Sequence, residues 1–447
     1  MWLPTLSDDG QPRYLALVEA IATAIASGEL RPGDRLPPQR RLAWALGLNP
    51  STTMQAYREA GRRHLIGGEV GRGTYVLASS REASLFRLKS PEPDAEALDL
   101  STNLPVLDPD DDDLQRSVTA LCSRHEMAGL QGYPTARSLR HGALAVSEWL
   151  RGRAIEVPPS QVVLCAGAQQ GVFAALLGLC EPGEAVLVEG LTSPGIKAAG
   201  RQLRLPLHGV AMDEHGILPQ DLDRQARATS ARVAVLTPCL QNPTGTSMNA
   251  QRREAIAAVA RARGLWIIED DIYGALGDEP SLASVLPERT LLVSSLSKTV
   301  APGLRLGFMA GPAALMARID PEAQATSWAL SPLCLRIGSD WLQDGTAARR
   351  LAWQREQVHQ RWRLAQKLLG SRGVPSPHLW LPLASGVDMA RLCRLAGIEA
   401  ADSAMFAVGH EAPPALRLSL TAAPSLALLK ARLERLSGLL AAARCDE

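Results

Sequence analysis

The sequence lacks the features that mark exported, membrane-spanning or disulfide-stapled proteins. It contains no run of eighteen uninterrupted apolar residues, and its first ten residues include no basic segment followed by an apolar one. We therefore expect a cytoplasmic protein. The seven cysteines are odd in number, widely scattered and never spaced as Cys-x-x-Cys, so neither a disulfide framework nor a zinc site is indicated.

The composition is that of an ordinary folded chain with more than one domain. Its 447 residues exceed what one hydrophobic core usually serves, and 46% of them are hydrophobic and 21% charged. The net charge of +1 hides a basic segment, because seven arginines stand against two acids between Arg35 and Gly73. Such an excess suits a phosphate backbone as partner, although a solvated basic face would have the same composition.

Three helices are predicted near the amino terminus. Apolar residues recur at helical spacing over residues 14–27, and a second helix fits residues 38–46. A third begins at Pro50 after the N-cap residue Asn49. Met54, Tyr57 and Ala60 are predicted to face inward from this helix. Its predicted outer face contains Ser51, Thr52, Gln55 and Arg58.

A hairpin is predicted after these helices, from residues 65–68 and 70–76. The sequences LPPQRRLA at residues 36–43 and GTYV at residues 73–76 resemble the winged helix-turn-helix of the GntR transcription factors. The resemblance implies double-stranded DNA as the partner. Many members carry an arginine where this chain has Pro50, so the resemblance leaves the base specificity open. The alternative interpretation of these residues is a three-helix interaction domain that does not bind DNA. The implied DNA-binding residues are Arg40, Arg41, Ser51, Thr52, Gln55, Arg58, Arg72 and Gly73.

A polar linker with paired prolines, residues 79–97, is predicted to separate a domain at residues 1–78 from a larger one at residues 98–447. In the larger domain, short apolar runs alternate with alanine-rich stretches such as residues 169–180 and 251–263. This alternation predicts an α/β fold with a mostly parallel sheet covered on both faces. The predicted strands are residues 162–165, 185–188, 233–236, 266–269 and 291–293.

Polar motifs follow these strands, where open α/β sheets bind ligands. They are GAQQG at residues 167–171, NPTG at residues 242–245, Asp270 with Tyr273, and Lys298 followed by Arg305. Each has an ordinary explanation when taken alone: Asn-Pro-x-Gly is usually a turn, an aspartate at a strand end is often a helix cap, and a single lysine is normally a surface residue. Together, in this order and spacing, they resemble the fold-type I, class I/II aminotransferases from about residue 98 to the end.

This second resemblance implies pyridoxal phosphate as the cofactor, attached through a Schiff base to Lys298. It implies that Asp270 pairs with the pyridine nitrogen, that Asn242 and Tyr273 hold the phenolate oxygen, and that Arg417 binds a carboxylate. The implied phosphate-binding residues are Ala168, Gln169, Ser295, Ser297, Arg305 and, reaching from a partner subunit, Tyr133.

The order of the two domains resembles the MocR subfamily of bacterial regulators over nearly the full chain. That resemblance implies a head-to-tail homodimer that binds an operator and responds to pyridoxal phosphate or to an amino-acid-like effector. One alternative is an active aminotransferase with a fused regulatory domain. Ser193 argues against efficient turnover, since the family usually has an aromatic ring there that stacks on the cofactor. A second alternative is a regulator whose large domain no longer binds cofactor and only dimerises.

Overall fold

The computed structural model describes residues 2–6, 12–26, 29–31, 33–62, 65–69, 73–76, 97–327, 329–409 and 412–445. The chain divides into two compact units, Met1–Ser90 and Pro91–Glu447. Arg72 of the predicted wing, residues 77–78 at the end of the predicted first domain and residues 79–96 of the predicted linker lie outside the described residues. The limits at residues 78 and 98 remain predictions. Within the described part of the chain, no helix has both the length and the apolar character needed to cross a membrane.

The amino-terminal unit is a winged helix-turn-helix. Its elements are α1 (Arg13–Ala26), α2 (Gln39–Leu46), α3 (Pro50–Arg62), β1 (Ile66–Glu69) and β2 (Gly73–Val76). The two strands pair in antiparallel register and form the wing. Gly47 ends α2 with a φ of 65°, a left-handed conformation that suits glycine and allows the tight turn into α3. The predicted topology is thereby confirmed.

The third helix buries a different face from the one predicted. Thr53, Ala56, Tyr57 and Ala60 are buried, whereas Met54 is 47% exposed, so the prediction that Met54 faces inward was wrong. A threonine can replace an apolar residue here because its hydroxyl lies 3.0 Å from the carbonyl oxygen of Pro50, which satisfies the buried polar group.

The larger unit is α/β. Its strands are β3 (Leu98–Asp99), β4 (Val162–Cys165), β5 (Val186–Glu189), β6 (Leu207–Val210), β7 (Met212–Asp213), β8 (Gly216–Ile217), β9 (Val233–Leu236), β10 (Trp266–Asp270), β11 (Thr290–Ser295), β12 (Gly307–Ala310), β13 (His378–Pro382), β14 (Ile398–Glu399), β15 (Ala401–Asp402) and β16 (Ala415–Ser419). Its α-helices are α4 (Asp113–Ser123), α5 (Ala136–Arg151), α6 (Ala168–Leu179), α7 (Pro194–Gln202), α8 (Pro219–Thr229), α9 (Ala250–Arg263), α10 (Leu282–Val285), α11 (Ala313–Ser327), α12 (Pro332–Gln343), α13 (Thr346–Leu369), α14 (Met389–Ala396) and α15 (Leu426–Cys445).

Seven strands form the main sheet in the order β4-β12-β11-β10-β9-β5-β6. Strand β12 is antiparallel to both of its neighbours, and the other pairs are parallel. This confirms the mostly parallel sheet. A separate antiparallel sheet joins β13, β16 and β15 and carries Arg417 on its central strand.

Alternate residues of the main strands pack into two separate hydrophobic cores, because successive side chains of a strand point to opposite faces. In β10, Ile268 belongs to the core that contains Val172 of α6, and Ile267 belongs to the core that contains Ile256 of α9. Continuous apolar runs are what a sheet covered on both faces requires. Asp270, at the end of β10, follows Ile268 by two residues. Its side chain therefore points to the same face of the sheet as Ile268, which is the face that α6 covers.

Candidate functional site

Lys298 lies in the turn that follows β11, with its amine directed into the protein. Nζ donates a hydrogen bond of 2.5 Å to the main-chain carbonyl of Asn103. Burial, reinforced by the charges of Arg417 and Arg305, lowers the pKa of Lys298 to about 8, and Asp270 opposes this shift. Lowering the pKa increases the neutral fraction of the amine at neutral pH, and the neutral amine is the nucleophilic form.

Asp270 ends β10 with a carboxyl group that the described residues leave partly unsatisfied. The side chain is 6% exposed, and its Oδ1 is buried without a hydrogen-bond partner among those residues. Burial raises the pKa of Asp270 to about 7, and the neighbouring charge of Asp271 adds to this effect while Lys298 opposes it. Because buried polar atoms are almost always paired, this oxygen calls for a donor supplied by a bound group.

The two acids beside Asp270 already have structural partners. Arg153 donates two hydrogen bonds to the carboxylate of Asp271, at 2.5 and 2.9 Å. Glu269 accepts from the hydroxyl of Ser281 at 2.6 Å and from two main-chain amides at the start of α10. Of these three consecutive acids, Asp270 is therefore the one available to a ligand.

Arg417 joins the cofactor-binding candidates to the predicted carboxylate site. Its Nη1 donates to Asn242 Oδ1 at 3.1 Å, its Nη2 donates to the carbonyl of Ser101, and its guanidinium lies 5.2 Å from the ring centroid of Phe406. Nε is buried and has no partner among the described residues. Burial lowers the pKa of Arg417 to about 10, so the side chain stays positively charged at neutral pH and can take a carboxylate.

Tyr273 follows Asp270 by three residues and is 2% exposed. Its hydroxyl oxygen accepts a hydrogen bond of 2.7 Å from Asn103 Nδ2, and its ring lies 5.4 Å from the imidazole of His378, measured between ring centroids. Burial raises the pKa of Tyr273 to about 12, so it remains a neutral hydrogen-bond donor.

The predicted phosphate-binding residues meet at the start of α6. Gly167 precedes Ala168 with a φ of 87°, and a Cβ at this position would lie 2.4 Å from Nη2 of Arg305. Arg305 Nη1 donates to Ser297 Oγ at 3.3 Å, and the amide of Ser297 donates to Ser295 Oγ at 3.3 Å. A helix N-terminus, a guanidinium and two hydroxyls together form a suitable anion site.

Two other residues singled out in the sequence, Gln169 and Ser193, make contacts at α7. Gln169 Nε2 donates to the carbonyl oxygen of Gly195 at 2.9 Å and so connects α6 to the first turn of α7. Ser193 caps α7, since its Oγ accepts from the amide of Ile196 at 3.4 Å. Ser193, at the predicted stacking position, therefore acts as the N-cap of a helix and has no aromatic ring that could stack on a cofactor.

Tyr133 is 73% exposed and precedes α5. The first turn of α5 is stabilised by a capping box in which the side chains of Thr135 and Ser138 bond each other's main-chain amides. The predicted reach of Tyr133 to the phosphate of a partner subunit remains a prediction.

Three residues at this site were missed by sequence reasoning. Asn103 donates a hydrogen bond to Tyr273, His378 is hydrogen-bonded to Asn103, and Arg153 pairs with Asp271. The sequence did contain a signal for His378, a polar residue at the head of the apolar strand HLWLP. Asn103 and Arg153 stand in segments whose composition singles out neither of them.

The DNA-binding candidates that the structure describes lie on α2, on α3 and at the start of β2. Asn49 Oδ1 accepts from the amide of Ser51 at 2.9 Å and fixes the start of α3. Gly73 begins β2 with a φ of 112°, and the guanidinium of Arg35 packs so closely that a Cβ at residue 73 would lie 2.6 Å from its Nε. Thr52 is half-buried. The exposed candidates are Arg40, Arg41, Ser51, Gln55 and Arg58.

Comparison with protein families identifies both units. The family of aminotransferases of class I and II matches residues 95–380, and the gntR family of bacterial regulatory proteins matches residues 13–76. The first match spans more than half of the chain, so the chain belongs to the aminotransferase class I and II family. In this chain a gntR domain precedes the aminotransferase domain. This is the domain organisation of the MocR subfamily of GntR-type transcriptional regulators, and the chain belongs to that subfamily.

Individual relatives agree with this assignment. The chain is 27% identical to the HTH-type transcriptional regulator YdeF of Bacillus subtilis, over 95% of this chain and 94% of that protein. It is 27% identical to the pyridoxine biosynthesis transcriptional regulator PdxR of Corynebacterium glutamicum, over 84% of this chain and 82% of that protein. These relatives favour the regulator interpretation over that of an aminotransferase with a fused domain.

The fold also matches solved structures. An alpha-aminoadipate aminotransferase of Thermus thermophilus superposes with a TM-score of 0.70 at 21% identity, covering 83% of this chain and 99% of that one. Pyridoxal phosphate is the cofactor that this family indicates. The residues fit it, because the pocket brings together a buried amine, a buried carboxyl oxygen for which the described residues supply no partner, and an anion site.

Proposed function

We propose that this chain is a DNA-binding transcriptional regulator whose large domain binds pyridoxal phosphate and responds to it or to an amino-acid-like effector. The proposal is supported by the buried Oδ1 of Asp270, which has no partner in the part of the chain that the structure describes and lies near the amine of Lys298, in a chain that also has a winged helix. A ligand that favours one arrangement of a two-domain protein shifts the population toward that arrangement.

The cofactor supplies an aldehyde that bonds to an amine and a ring that withdraws electrons. Lys298 Nζ would be the amine that makes that bond. Asp270 would hold a proton at the ring nitrogen, and Asn242 and Tyr273 would bind the phenolic oxygen. The phosphate would be bound by Ala168, Gln169, Ser295, Ser297 and Arg305.

The effector would bind through its carboxylate to Arg417. The Nε of this guanidinium has no partner among the described residues, and the planar fork suits a carboxylate. Because Arg417 also contacts Asn242, a carboxylate bound there would alter the surroundings of the cofactor's phenolic oxygen.

The operator would be contacted through the amino-terminal unit. The exposed positions Ser51, Gln55 and Arg58 on α3, with half-buried Thr52, suit contacts in a major groove. Arg40 and Arg41 on α2 suit phosphate contacts, and Gly73 with Arg72 would form the tip of the wing.

We also propose a head-to-tail homodimer that acts in the cytoplasm, where its operator lies. Several bulky apolar side chains are exposed in the amino-terminal part of the large unit, including Tyr133 and its neighbours. A second subunit that covers them would explain this exposure. A dimer would also present two winged helices to paired half-sites. Sedimentation should give a mass near twice 47.8 kDa; a monomer at working concentration would contradict this part. The exposed side chains in question are Leu104, Leu107, Leu114, Tyr133, Leu139 and Leu144.

The second candidate function is an aminotransferase, which is favoured by the retention of Lys298, Asp270 and Arg417 in one domain. Incubation of purified protein with amino acids and keto acids separates the two. Turnover at ordinary enzyme rates, about 1–10³ per second, would favour the enzyme. A regulator should instead give a spectral change without sustained turnover.

Cofactor binding itself is tested by absorbance. Purified protein supplied with pyridoxal phosphate should show a visible band that disappears in Lys298→Ala and persists in Lys430→Ala, which changes a lysine that is 59% exposed. A wild-type protein that stays colourless with added cofactor would refute the proposal.

A further inference from the structure

Two buried side chains outside the predicted motifs, His378 and Asn103, form a continuous chain of hydrogen bonds with Tyr273, which belongs to one of those motifs. His378, Asn103 and Tyr273 are 0%, 6% and 2% exposed. His378 Nε2 lies 2.9 Å from the carbonyl oxygen of Gln241, His378 Nδ1 lies 3.1 Å from Asn103 Nδ2, and Asn103 Nδ2 lies 2.7 Å from Tyr273 Oη. The direction of each hydrogen bond follows from its partners.

The imidazole of His378 is the fixed end of this chain. A main-chain carbonyl can only accept, so Nε2 must carry the hydrogen that faces Gln241. Burial lowers the pKa of His378 to about 3, helped by the charges of Arg417 and Lys298, so the ring is neutral. Its Nδ1 is therefore an acceptor.

The amide of Asn103 is oriented by that acceptor. The atom facing Nδ1 must be a donor, which assigns Nδ2 to this side and Oδ1 to the other. Oδ1 is buried and has no partner among the described residues, so it does not compete for the orientation. The two hydrogens of Nδ2 are then divided between His378 and Tyr273.

Tyr273 is left with its own hydrogen to donate. Its oxygen accepts from Asn103, and within the described part of the chain no acceptor for the hydroxyl hydrogen is found. An amide that can only donate also prevents the hydroxyl from turning its hydrogen toward Asn103. The hydrogen remains available for a ligand in the pocket that contains Lys298.

We propose that Asn103, held by His378, is a positioning residue that makes the hydroxyl of Tyr273 donate to the phenolic oxygen of the cofactor. The inference rests on the proposed function, since it requires the cofactor in this pocket. The side chains of Asn103 and His378 do not touch the reacting atoms in this account; the contact of Asn103 with Lys298 Nζ is made by its main-chain carbonyl, which the substitutions below retain. Both side chains act through the direction of one hydrogen bond.

The experiment is a pH titration of the visible band of the Lys298-bound cofactor. A hydrogen bond from Tyr273 stabilises the deprotonated phenolic oxygen, so its loss should raise the midpoint. We expect Asn103→Leu, which removes the amide without adding charge, to raise the midpoint by about half to one pKa unit, a three- to tenfold change in proton affinity. Tyr273→Phe should raise it at least as much.

A double-mutant cycle tests whether Asn103 acts through Tyr273. In the Tyr273→Phe background, Asn103→Leu should cause no further shift, because the hydroxyl it directs is gone. Additive shifts would overturn the inference. The matched control is Gln354→Met, which removes a buried amide whose two hydrogen bonds are with the main chain of Val106, in the same segment as Asn103. It should leave the midpoint unchanged, and an equal shift in Gln354→Met would mean that general loosening explains the effect.

A second readout needs no cofactor. In ¹⁵N-histidine-labelled protein, with His378→Leu to identify the signals, His378 should be neutral with its hydrogen on Nε2, and Asn103→Leu should move Nδ1 toward the shift of a free acceptor. A hydrogen on Nδ1 in the wild type would reverse the amide and overturn the inference. If Asn103→Leu does not fold, His378→Leu tests the same chain by a smaller upward shift. A wild-type protein with no visible band would instead refute cofactor binding.

Discussion

Arg417 Nη1 donates a hydrogen bond to Asn242 Oδ1 at 3.1 Å, so the residue predicted to bind an effector touches one predicted to hold the cofactor. Both side chains are buried, at 3% and 9% exposure. An effector carboxylate bound by Arg417 would therefore directly change the surroundings of the cofactor's phenolic oxygen, since a single residue, Asn242, connects the two positions.

Replacing Arg417 by lysine should separate effector binding from cofactor binding. Lysine keeps the charge but loses the planar fork, and a hydrogen bond to a charged group contributes about 1.5–3 kcal/mol. With a panel of amino acids as probes, the concentration that changes the cofactor's spectrum should rise about tenfold or more, while the cofactor remains bound. The exposed Arg372→Lys is the control. Equal responses in all three proteins would exclude Arg417 as the carboxylate site.

Asp270 should make the cofactor-free protein less stable as the pH rises. Its pKa is 3.8 when unfolded and about 7 in the folded protein, so between these values the folded state binds more protons than the unfolded state. Stability then falls with rising pH, by up to about 1.4 kcal/mol per pH unit. Asp270→Asn should remove this contribution in calorimetric melts between pH 4 and 7, whereas Asp278→Asn, at 93% exposure, should not. Parallel wild-type and Asp270→Asn curves would contradict the assignment.

Ser193→Tyr should strengthen cofactor retention at a cost to α7. An aromatic ring stacked on the cofactor contributes about 0.5–1.5 kcal/mol, a two- to tenfold slower loss during dialysis. Loss of the serine cap should destabilise the protein by about 1 kcal/mol. Ser193→Ala loses the cap and gains no ring, so it should melt lower without retaining the cofactor longer. Faster cofactor loss from Ser193→Tyr would show that residue 193 does not lie over the ring.

Phosphate and base contacts should respond differently to mutation on DNA from upstream of the protein's own gene. Arg40→Ala should weaken binding to all sequences and reduce the slope of log affinity against log salt by about one. Gln55→Ala should cost about 1–3 kcal/mol on the operator and little on unrelated DNA. Arg372→Ala in the large unit serves as the charge control. An unchanged salt slope in Arg40→Ala would remove that residue from the interface.

The sequence was sufficient to predict the framework of both units. Strands β4 and β9 have the predicted bounds, residues 162–165 and 233–236, because uninterrupted apolar runs in an α/β pattern have few other uses. The error at Met54 has a physical cause. Hydropathy ranks methionine above threonine for burial, but the hydroxyl of Thr53 finds a main-chain acceptor and the helix turns its other side to solvent.

The candidate site was predictable only where residues belong to local motifs. Lys298, Asp270 and Asn242 stand at strand ends, where position alone indicates chemistry. Asn103 contacts partners 170 and 275 residues away along the chain, and such a pairing leaves no local pattern to detect. Ser193 was recognised as an unusual residue, but its use as a helix cap required the main-chain geometry of α7.

Covalent occupancy at Lys298 is expected to change how the DNA-binding unit binds its operator. The most direct test titrates an operator fragment with wild-type protein and with Lys298→Ala, each with and without pyridoxal phosphate. We expect the cofactor to change the wild-type affinity or footprint and to leave Lys298→Ala unaffected. An operator affinity and footprint that do not change with the cofactor in the wild type, or that change equally in Lys298→Ala, would contradict the account.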